Sequence, residues 1–350
     1  MPDETLLHRP GTGGAGYPMP APSGQGQLPT TQAPPTEPSY YDISPLKPPT
    51  WEWQIAGYFF LGGLSAGAYI LARLAERFGG EEYRAITRAG TLTAFAAALP
   101  CAPLLIVDLG DPSRFHHMLR VFKPHSPMNL GAWTLLGYSG AATLAVLREW
   151  LRGDRTEAER STAEKMVDGL LITVTDAAGI PLALLLAGYT GVLLSCTSNP
   201  LWSQNPWLGP LFSASALSSG ASAIALLLEA GKQSEESSPQ EAMKRIDLLG
   251  HIAEGLTMAG YLVRAGSLAQ PLTAGTRAPA LWGGALGLAA SEVLKHLPVR
   301  GRAGSWSRMA ASVLGLAGAL AWRWGIVDAG HDAAKDPNLA RQVSSKHPKK

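Results

Sequence analysis

The chain has 350 residues, a formal net charge of +2 and 16% charged residues, and this balance excludes the strong positive field that nucleic-acid-binding proteins use. We therefore expect no nucleic acid partner. The first 50 residues are rich in Pro, Gly, Thr and Gln and lack the apolar core of a cleavable signal peptide. Residues 1–50 are predicted to form a disordered Pro/Gly-rich arm.

Five stretches beyond this arm are apolar enough to cross a lipid bilayer. The first, residues 53–72, reads WQIAGYFFLGGLSAGAYILA and carries no charge. About 20 mostly apolar residues are needed to span the hydrocarbon core as a helix. The other four, of which only residues 169–196 carry a charge, are residues 89–107, 130–147, 169–196 and 208–228. None has the polar face that recurs every 3.6 residues in helices of soluble proteins.

Three later stretches keep the apolar character but contain ionisable residues. They are residues 246–270, 279–296 and 309–327. The sequence therefore predicts an all-α, polytopic integral membrane protein with about eight transmembrane helices, arranged as two four-helix-bundle-like halves. The transmembrane domain is placed at residues 51–328 and a polar tail at 329–350. Small-xxx-small spacings that let helices approach closely in lipid occur at Gly63 with Gly67 and at Gly283 with Gly287.

Lys and Arg residues of the short loops predict the orientation. Most of them follow predicted helices 1, 3, 5 and 7, whereas the alternate loops hold only Arg114, Arg120, Lys123 and Arg277. Because cytoplasmic loops are enriched in basic residues, both termini and the arm are predicted to be extracytoplasmic. The expected location is the cell membrane.

Cysteines and histidines limit the redox centres that this protein can carry. Two cysteines, Cys101 and Cys196, are too few for an iron–sulfur cluster, so we expect no metal in this chain. His251 and His296 lie in or near predicted helices, and a haem b held by this pair is one alternative function. A secondary transporter is another, although no internal repeat supports it. A purely structural anchor is a third.

Ionisable residues inside predicted membrane helices form two layers. Such groups are costly in lipid and mark pairing or transport pathways. The inner layer is a candidate proton-transfer path and comprises Asp176, Asp247, His251, Glu254 and Glu292. The helical spacing 247, 251, 254 places three of these on one face. For Asp247 and His296 the alternative is that they lie at helix ends and extend toward water.

The outer layer holds aromatic and titratable residues that suit a quinone head group. Aromatic rings stack on the quinone ring, while Tyr, His and Asp exchange hydrogen bonds and protons with its carbonyl oxygens. The residues are Trp53, Tyr58, Asp108, His116, His117, Tyr189 and Arg323. For Trp53 the alternative is an interfacial aromatic belt, and for Arg114 an ion pair with Asp108 or Asp111.

Several segments resemble the NrfD/PsrC family, the polysulfide-reductase-type membrane subunits of molybdopterin oxidoreductases. The most specific is DLGDPSRFHHMLRVFKPHSPMNLGAW at residues 108–133. The others are WEWQIAGYFFLGGLSAGAYILA at 51–72, YTGVLLS at 189–195, SALSSG at 215–220 and RWGIVDAGHDAAKDP at 323–337. The resemblance extends over residues 38–340 in collinear order.

The resemblance implies an eight-helix membrane anchor that binds a quinone, either menaquinone or ubiquinone, near the outer face. It also implies two partners, a four-cluster ferredoxin-like iron–sulfur subunit and a molybdenum or tungsten bis-pterin catalytic subunit. By position, Tyr58, Asp108 and Tyr189 become candidates for the quinone pocket. Some family members have a histidine near the start of helix 1, where this chain has Glu52 as the candidate substitute.

The segments PSYYDISPLKPPTWEW, MLRVFKPHSPM and GHDAAKDP further resemble the subgroup associated with formate-dehydrogenase-like catalytic subunits. Polysulfide, thiosulfate and tetrathionate reductases remain alternatives at this stage.

Overall fold

The fold is described from a computed structural model for residues 43–153, 159–203, 205–231, 238–299 and 301–345, which belong to one compact unit. Within these ranges the regular structure is helical and contains no strand. Six helical stretches are long and apolar enough to cross a membrane: Trp53–Phe78, Gly80–Asp108, Pro127–Arg152, Thr162–Ser195, Leu208–Ala230 and Gly301–Lys335. The all-α, polytopic membrane fold is thus confirmed, and the count of eight spans stays a prediction. Most of the predicted arm lies outside the described residues.

The helices are numbered here in chain order. They are α1 (Trp53–Phe78), α2 (Arg84–Ala98), α3 (Cys101–Asp108), α4 (His117–Arg120), α5 (Pro127–Arg152), α6 (Thr162–Val174), α7 (Ile180–Ser195), α8 (Leu208–Ala230), α9 (Ser238–Ala265), α10 (Gln270–Thr273), α11 (Ala278–His296), α12 (Gly301–Lys335) and α13 (Pro337–Ser345). The predicted sixth and seventh membrane helices correspond to α9 and α11, which are helical but are not among these six.

Two of the predicted helices are interrupted. The second is divided into α2 and α3 at Pro100, which has no N–H to donate to the preceding turn. The fourth is divided into α6 and α7 by a π-helical turn at Thr175–Gly179. A π turn holds one residue more than an α-helical turn. Each break lies between two apolar segments, so hydropathy alone did not reveal it.

The bundle has two halves, α1 to α7 and α8 to α12, which meet along α1 and α8. Glycines at this seam take the place of larger side chains. A Cβ on Gly67 would lie 1.9 Å from the carbonyl oxygen of Ala216, and a Cβ on Gly220 would lie 2.6 Å from Gly67. The close approach predicted at Gly67 is confirmed. The spacing predicted at Gly283 is wrong by one residue, because Gly283 faces open space and Gly284 is the residue that approaches α12.

The last membrane helix continues past the predicted boundary at residue 328 and ends at Lys335. Side chains from other segments form hydrogen bonds with the backbone of its final turns. Asn199 Nδ2 donates to the carbonyl oxygen of Gly330 at 2.8 Å, and Ser44 Oγ donates to that of Ala334 at 2.6 Å. Tertiary partners therefore keep this polar-looking stretch helical.

One end of the bundle gathers arginines from α1, from α5 and from the segment that follows α5, and we call it the arginine-rich end. Glu76 on α1 accepts hydrogen bonds from Arg148 at 2.5 Å and from Arg152 at 3.4 Å. Asp168 on α6 accepts from Arg148 at 2.7 Å and from Arg160 at 3.1 Å. The basic residues that follow the first and third predicted membrane helices thus share one end of the bundle. Which side of the membrane this end faces stays a prediction.

Candidate functional site

A cavity of about 180 Å³ lies at the end of the bundle opposite the arginines. It is enclosed by the start of α1, the end of α3, the start of α5 and the end of α7. Three of the predicted quinone-pocket residues, Tyr58, Asp108 and Tyr189, line it together. We call this space the aromatic cavity. The structure therefore brings together residues that are 131 positions apart in the sequence.

The two tyrosines of the aromatic cavity are buried but differ in their hydrogen bonds. The Tyr189 hydroxyl donates to the backbone carbonyl oxygen of Pro127 at 2.5 Å. The Tyr58 side chain is 2% exposed, and its hydroxyl has no hydrogen-bond partner among the described residues. A buried phenol usually finds a partner. Tyr58 is therefore a donor that is available to a ligand in the cavity.

The other predicted residues of the outer layer lie at different depths. Asp108 is half-buried at the cavity wall, near the backbone of Glu52. The side chains of Glu52, Trp53 and His117 are exposed and do not line the cavity. The His117 ring instead packs against His116, with ring centroids 4.4 Å apart. Arg114 pairs with Asp111 at 2.9 Å, as one alternative predicted.

Further residues of the aromatic cavity were not singled out from the sequence. Trp51 and Phe59 form part of its wall, and the Trp51 ring stacks on Trp202 with centroids 5.7 Å apart. Gly131 also lines it, and a Cβ there would lie 2.2 Å from the Tyr189 hydroxyl. Trp51, Phe59 and Gly131 lie in the segments that carry the family resemblance, whereas Trp202 does not. That resemblance was the signal in the sequence that could have identified these three residues.

A short loop covers the aromatic cavity and is held by Asn129. The Asn129 side chain donates to the carbonyl oxygens of Met118 at 2.7 Å and Val121 at 3.1 Å, and accepts from the backbone N–H of Lys123 at 2.6 Å. Met118 itself lines the cavity. One side chain on α5 thus fixes the conformation of the segment that closes the site.

A second polar site lies in the other half of the bundle, between α8, α9 and α11. Asp247 accepts hydrogen bonds from Ser222 at 2.9 and 3.0 Å and pairs with Lys295. His251 Nδ1 lies 2.8 Å from Glu292 Oε1 and 3.7 Å from Asp247 Oδ1. We call these residues the α9 cluster. In the sequence analysis Lys295 was grouped with the basic residues that follow the seventh predicted helix. Its i,i+3 spacing from Glu292 was the signal that it belongs to this cluster.

The α9 cluster contains a set of potential metal ligands, Asp247, His251 and Glu292, whose ligand atoms all lie within 4.8 Å of one another. Lys295 Nζ contacts the carboxylates of both Asp247 and Glu292. Its ammonium group supplies the positive charge that a metal ion would otherwise bring. The arrangement therefore suits proton exchange between buried groups better than metal binding.

Glu254 lies one turn further along the same face of α9, deeper in the bundle and 3% exposed. Its carboxylate accepts hydrogen bonds from Ser215 and Ser218, each at 2.9 Å, and from Trp322 Nε1 at 2.5 Å. Charged groups in lipid are stable when neighbouring donors replace water. The predicted face of α9 is thus a continuous row of buried ionisable groups.

Asp176, the fifth residue of the predicted inner layer, lies apart from the α9 cluster, in the half formed by α1 to α7. It occupies the π turn, where one of its carboxylate oxygens is buried without a hydrogen-bond partner in the described part of the chain. Its electrostatic neighbours are Arg73, Glu76, Arg77 and Arg148 of the arginine-rich end. The structure therefore separates Asp176 from the α9 cluster.

The histidine pair proposed for haem is not arranged around a common space. His251 faces Glu292 inside the bundle, whereas His296 Nδ1 lies 2.8 Å from the backbone carbonyl oxygen of Glu292 and its side chain is exposed. Between α9 and α11 lies a larger cavity of about 320 Å³, lined by apolar residues together with His251, Glu254 and Glu292. This geometry favours a polar cluster beside an apolar cleft.

The fold and these two sites define a polytopic helical membrane protein with an aromatic cavity in one half and buried ionisable groups in the other. Residues 44–333 match the family described as polysulphide reductase, NrfD. The chain belongs to this family. It is 31% identical over 304 residues to a polysulfide reductase chain from Wolinella succinogenes, a match covering 80% of this chain and 94% of the relative.

Two further relatives match shorter parts of the chain. Protein NrfD of Escherichia coli is 31% identical over 208 residues, which cover 55% of this chain and 63% of that protein. A selenate reductase subunit from Mesobacillus selenatarsenatis is 28% identical over 116 residues, or 33% of this chain and 26% of that protein.

Proposed function

We propose that this chain is a quinone-reactive membrane anchor subunit of a molybdopterin oxidoreductase. In this role it passes electrons between the quinone pool and a partner iron–sulfur subunit. The aromatic cavity carries the proposal, because it combines aromatic walls with two phenols and a carboxylate. Sites for flat organic cofactors have this composition. The names of two relatives, a polysulfide reductase chain and a selenate reductase subunit, support membership of such a complex.

The residues of the aromatic cavity fit a quinone head group. Its volume of about 180 Å³ suits the ring system, while the isoprenoid tail remains in the lipid. A bound menaquinone or ubiquinone would supply reversible two-electron, two-proton chemistry. Trp51 and Phe59 provide flat apolar surfaces. Tyr58 offers to a carbonyl oxygen a hydroxyl that has no partner among the residues that the structure describes, and Asp108 is placed to exchange a proton near the outer end.

Exposed residues beside the aromatic cavity suit a partner protein. The segment that includes the short helical turn Pro112–Arg114 and helix α4 carries basic side chains, among them Arg114 and Arg120. It also exposes apolar rings, with Phe115 at 42% and Phe122 at 56% exposure. Exposed aromatic and Arg side chains are enriched in protein interfaces. We propose that the four-cluster iron–sulfur subunit binds here and connects to a catalytic subunit of formate-dehydrogenase or polysulfide/thiosulfate reductase type.

The α9 cluster and Glu254 are proposed to move protons between the arginine-rich end and the middle of the membrane. Asp247, His251 and Glu292 are in contact, and Glu254 follows on the same helical face. In the proposed orientation, both termini are extracytoplasmic and the arginine-rich end faces the cytoplasm. Asp176 would serve a separate path in the first half.

Variants of the aromatic cavity test the quinone site. Tyr58→Phe, Asp108→Asn and Tyr189→Phe each remove one polar group, and quinone turnover by the assembled complex should fall about tenfold, as expected for one lost hydrogen bond. Glu241→Gln and Tyr83→Phe are matched controls outside the cavity and should retain full turnover. Unchanged turnover in all three cavity variants would contradict the site.

Purification tests the partners. The tagged chain, extracted in mild detergent from its native host, should bring down a ferredoxin-like subunit and a large protein that contains molybdenum or tungsten. Mass spectrometry and metal analysis identify both. A chain that purifies alone and without these metals would contradict the anchor role and favour a transporter.

A further inference from the structure

Arg323 on α12 is a fully buried cation with unusual surroundings. Its guanidinium carbon lies 5.7 Å from the ring centre of Phe60, 5.6 Å from that of Phe212 and 4.9 Å from that of Trp322. Nη1 donates to the carbonyl oxygen of Ala319 at 3.1 Å. Nε and Nη2 have no hydrogen-bond partner within the ranges that the structure describes. Three aromatic rings therefore surround the charge without neutralising it.

A charge buried in this way needs a counter-charge nearby, because transfer from water to a low-dielectric interior is costly. Glu254 is the carboxylate with which Arg323 interacts electrostatically. The two side chains share no direct hydrogen bond, and the Trp322 indole connects them. The guanidinium lies over the face of this indole, and the indole N–H donates to Glu254 Oε1 at 2.5 Å.

We propose that Arg323 and Glu254 form a charge pair through the Trp322 indole, and that Arg323 is the positioning residue that keeps Glu254 ionised inside the membrane. A cation over the ring face polarises the indole and strengthens its N–H donor, so the two contacts reinforce each other. The proposal rests on the proposed function, since an ionised Glu254 is the state that can accept a proton from the α9 cluster.

The other groups that face Glu254 do not supply a competing charge of this kind. Helix α8 contributes the hydroxyls of Ser215 and Ser218, which donate hydrogen bonds but carry no charge. His251 interacts with Glu254 from one turn away on the same helix, but it is already paired with Glu292 of α11, where Lys295 also lies. Arg323 of α12 is thus the cation that faces Glu254 through the Trp322 indole.

Arg323 also lies close to the wall of the aromatic cavity. Phe59 lines that cavity, and its ring meets the Phe212 ring with centroids 5.8 Å apart. Phe212 is one of the rings beside the guanidinium. A charge that changes in the cavity is therefore separated from Arg323 by aromatic side chains, which screen it far less than water. A change of charge in the cavity therefore affects the electrostatic environment of the Arg323–Glu254 pair.

Infrared spectroscopy of the purified complex tests the pair directly. A protonated carboxylic acid has a C=O stretching band that a carboxylate lacks. Arg323→Gln should create such a band, and the double variant Arg323→Gln/Glu254→Gln should remove it. Arg323→Lys, which keeps the charge, should show no new band. Arg277→Gln, which removes a partly exposed arginine paired with Asp328, is the matched control. Absence of the band in Arg323→Gln would overturn the proposal.

Expression of the same variants covers the case in which Arg323→Gln does not fold. Because Arg323→Gln leaves a carboxylate without its counter-charge, the double variant should then accumulate to a higher level than the single one. A double variant that is no better would overturn the pair. If the band appears but proton uptake by the complex is unchanged, the pair stands and the proton path under Proposed function fails instead.

Discussion

The two halves of the bundle bury charged side chains in different ways. In the half formed by α1 to α7, charges are concentrated at the arginine-rich end, where Glu76 and Asp168 each contact at least two arginines. In the half formed by α8 to α12, they continue inward along one face of α9 to Glu254. Arginine stays protonated, whereas His, Glu and Asp exchange protons. The first half therefore has a fixed ionic end and a cavity, and the second has a row of groups suited to proton transfer.

The seam between the halves is the most sensitive place to test this division. Gly67→Val would place a side chain against the Ala216 carbonyl oxygen, at a position where even Cβ lies 1.9 Å away. Because backbone cannot yield as a side chain does, we expect a loss of about 3 kcal/mol or more and little folded protein. Gly283→Val on α11 faces open space and is the control. Size-exclusion profiles and thermal unfolding in detergent compare the two, and equal behaviour would contradict the seam.

Removal of the cation from the α9 cluster should have the next largest effect. Lys295→Met leaves Asp247, whose side chain is 2% exposed, without the ammonium group that contacts its carboxylate. The expected cost is about 3–5 kcal/mol, as for other broken buried pairs. Adding Asp247→Asn should restore most of the loss. Arg245→Gln, which breaks an exposed pair with Glu241, should change the thermal unfolding temperature little. Failure of Asp247→Asn to restore stability would mean that the two residues are not coupled.

A single methyl group in the aromatic cavity should separate its function from the fold. Gly131→Ala brings a Cβ within 2.2 Å of the Tyr189 hydroxyl, so the phenol must leave its bond to Pro127. We expect about 1–3 kcal/mol of destabilisation and a marked loss of quinone turnover. Gly57→Ala meets only an ordinary contact, at 3.6 Å from Leu104, and should behave as the unmodified protein. Normal turnover in Gly131→Ala would show that the position of Tyr189 is unimportant.

The cover of the cavity should give the smallest effect. Asn129→Ala removes three hydrogen bonds to the backbone between Met118 and Lys123. This segment is mostly exposed, so we expect a loss of about 1–2 kcal/mol and a higher KM for quinone with little change in kcat. Limited proteolysis should cut the segment faster, and Thr143→Ala on the exposed face of α5 is the control. Unaltered proteolysis would mean that other contacts hold the loop.

The apolar core of the fold was predictable because uncharged stretches leave few alternatives to membrane helices. Interruptions were not, since Pro100 and the π turn at Thr175–Gly179 each lie within a longer stretch that is apolar on both sides of the break. The end of α12 was also missed. Residues such as Asp332 look like a polar tail until Arg277, 55 positions earlier, is seen to pair with it.

The polar residues of the candidate sites were predicted better than their surroundings. Helical spacing correctly placed Asp247, His251 and Glu254 on one face. The three cavity residues Tyr58, Asp108 and Tyr189 do line one space, although ligand binding there stays a prediction. Sequence did not reveal Lys295 or Trp322 as partners, because spacing relates residues within one helix and not between helices that meet only after folding.

The π turn has a consequence for the geometry of the aromatic cavity. It is stabilised from α1, where Tyr69 donates its hydroxyl to the carbonyl oxygen of Thr175 at 2.8 Å, in space left by the missing side chain of Gly179. Each residue of an α-helix turns the chain by about 100°. Loss of one residue from the turn would therefore rotate α7 by that angle relative to α6 and carry Tyr189 away from the cavity. The angular position of the helix that carries Tyr189 is thus set by one additional residue in the π turn.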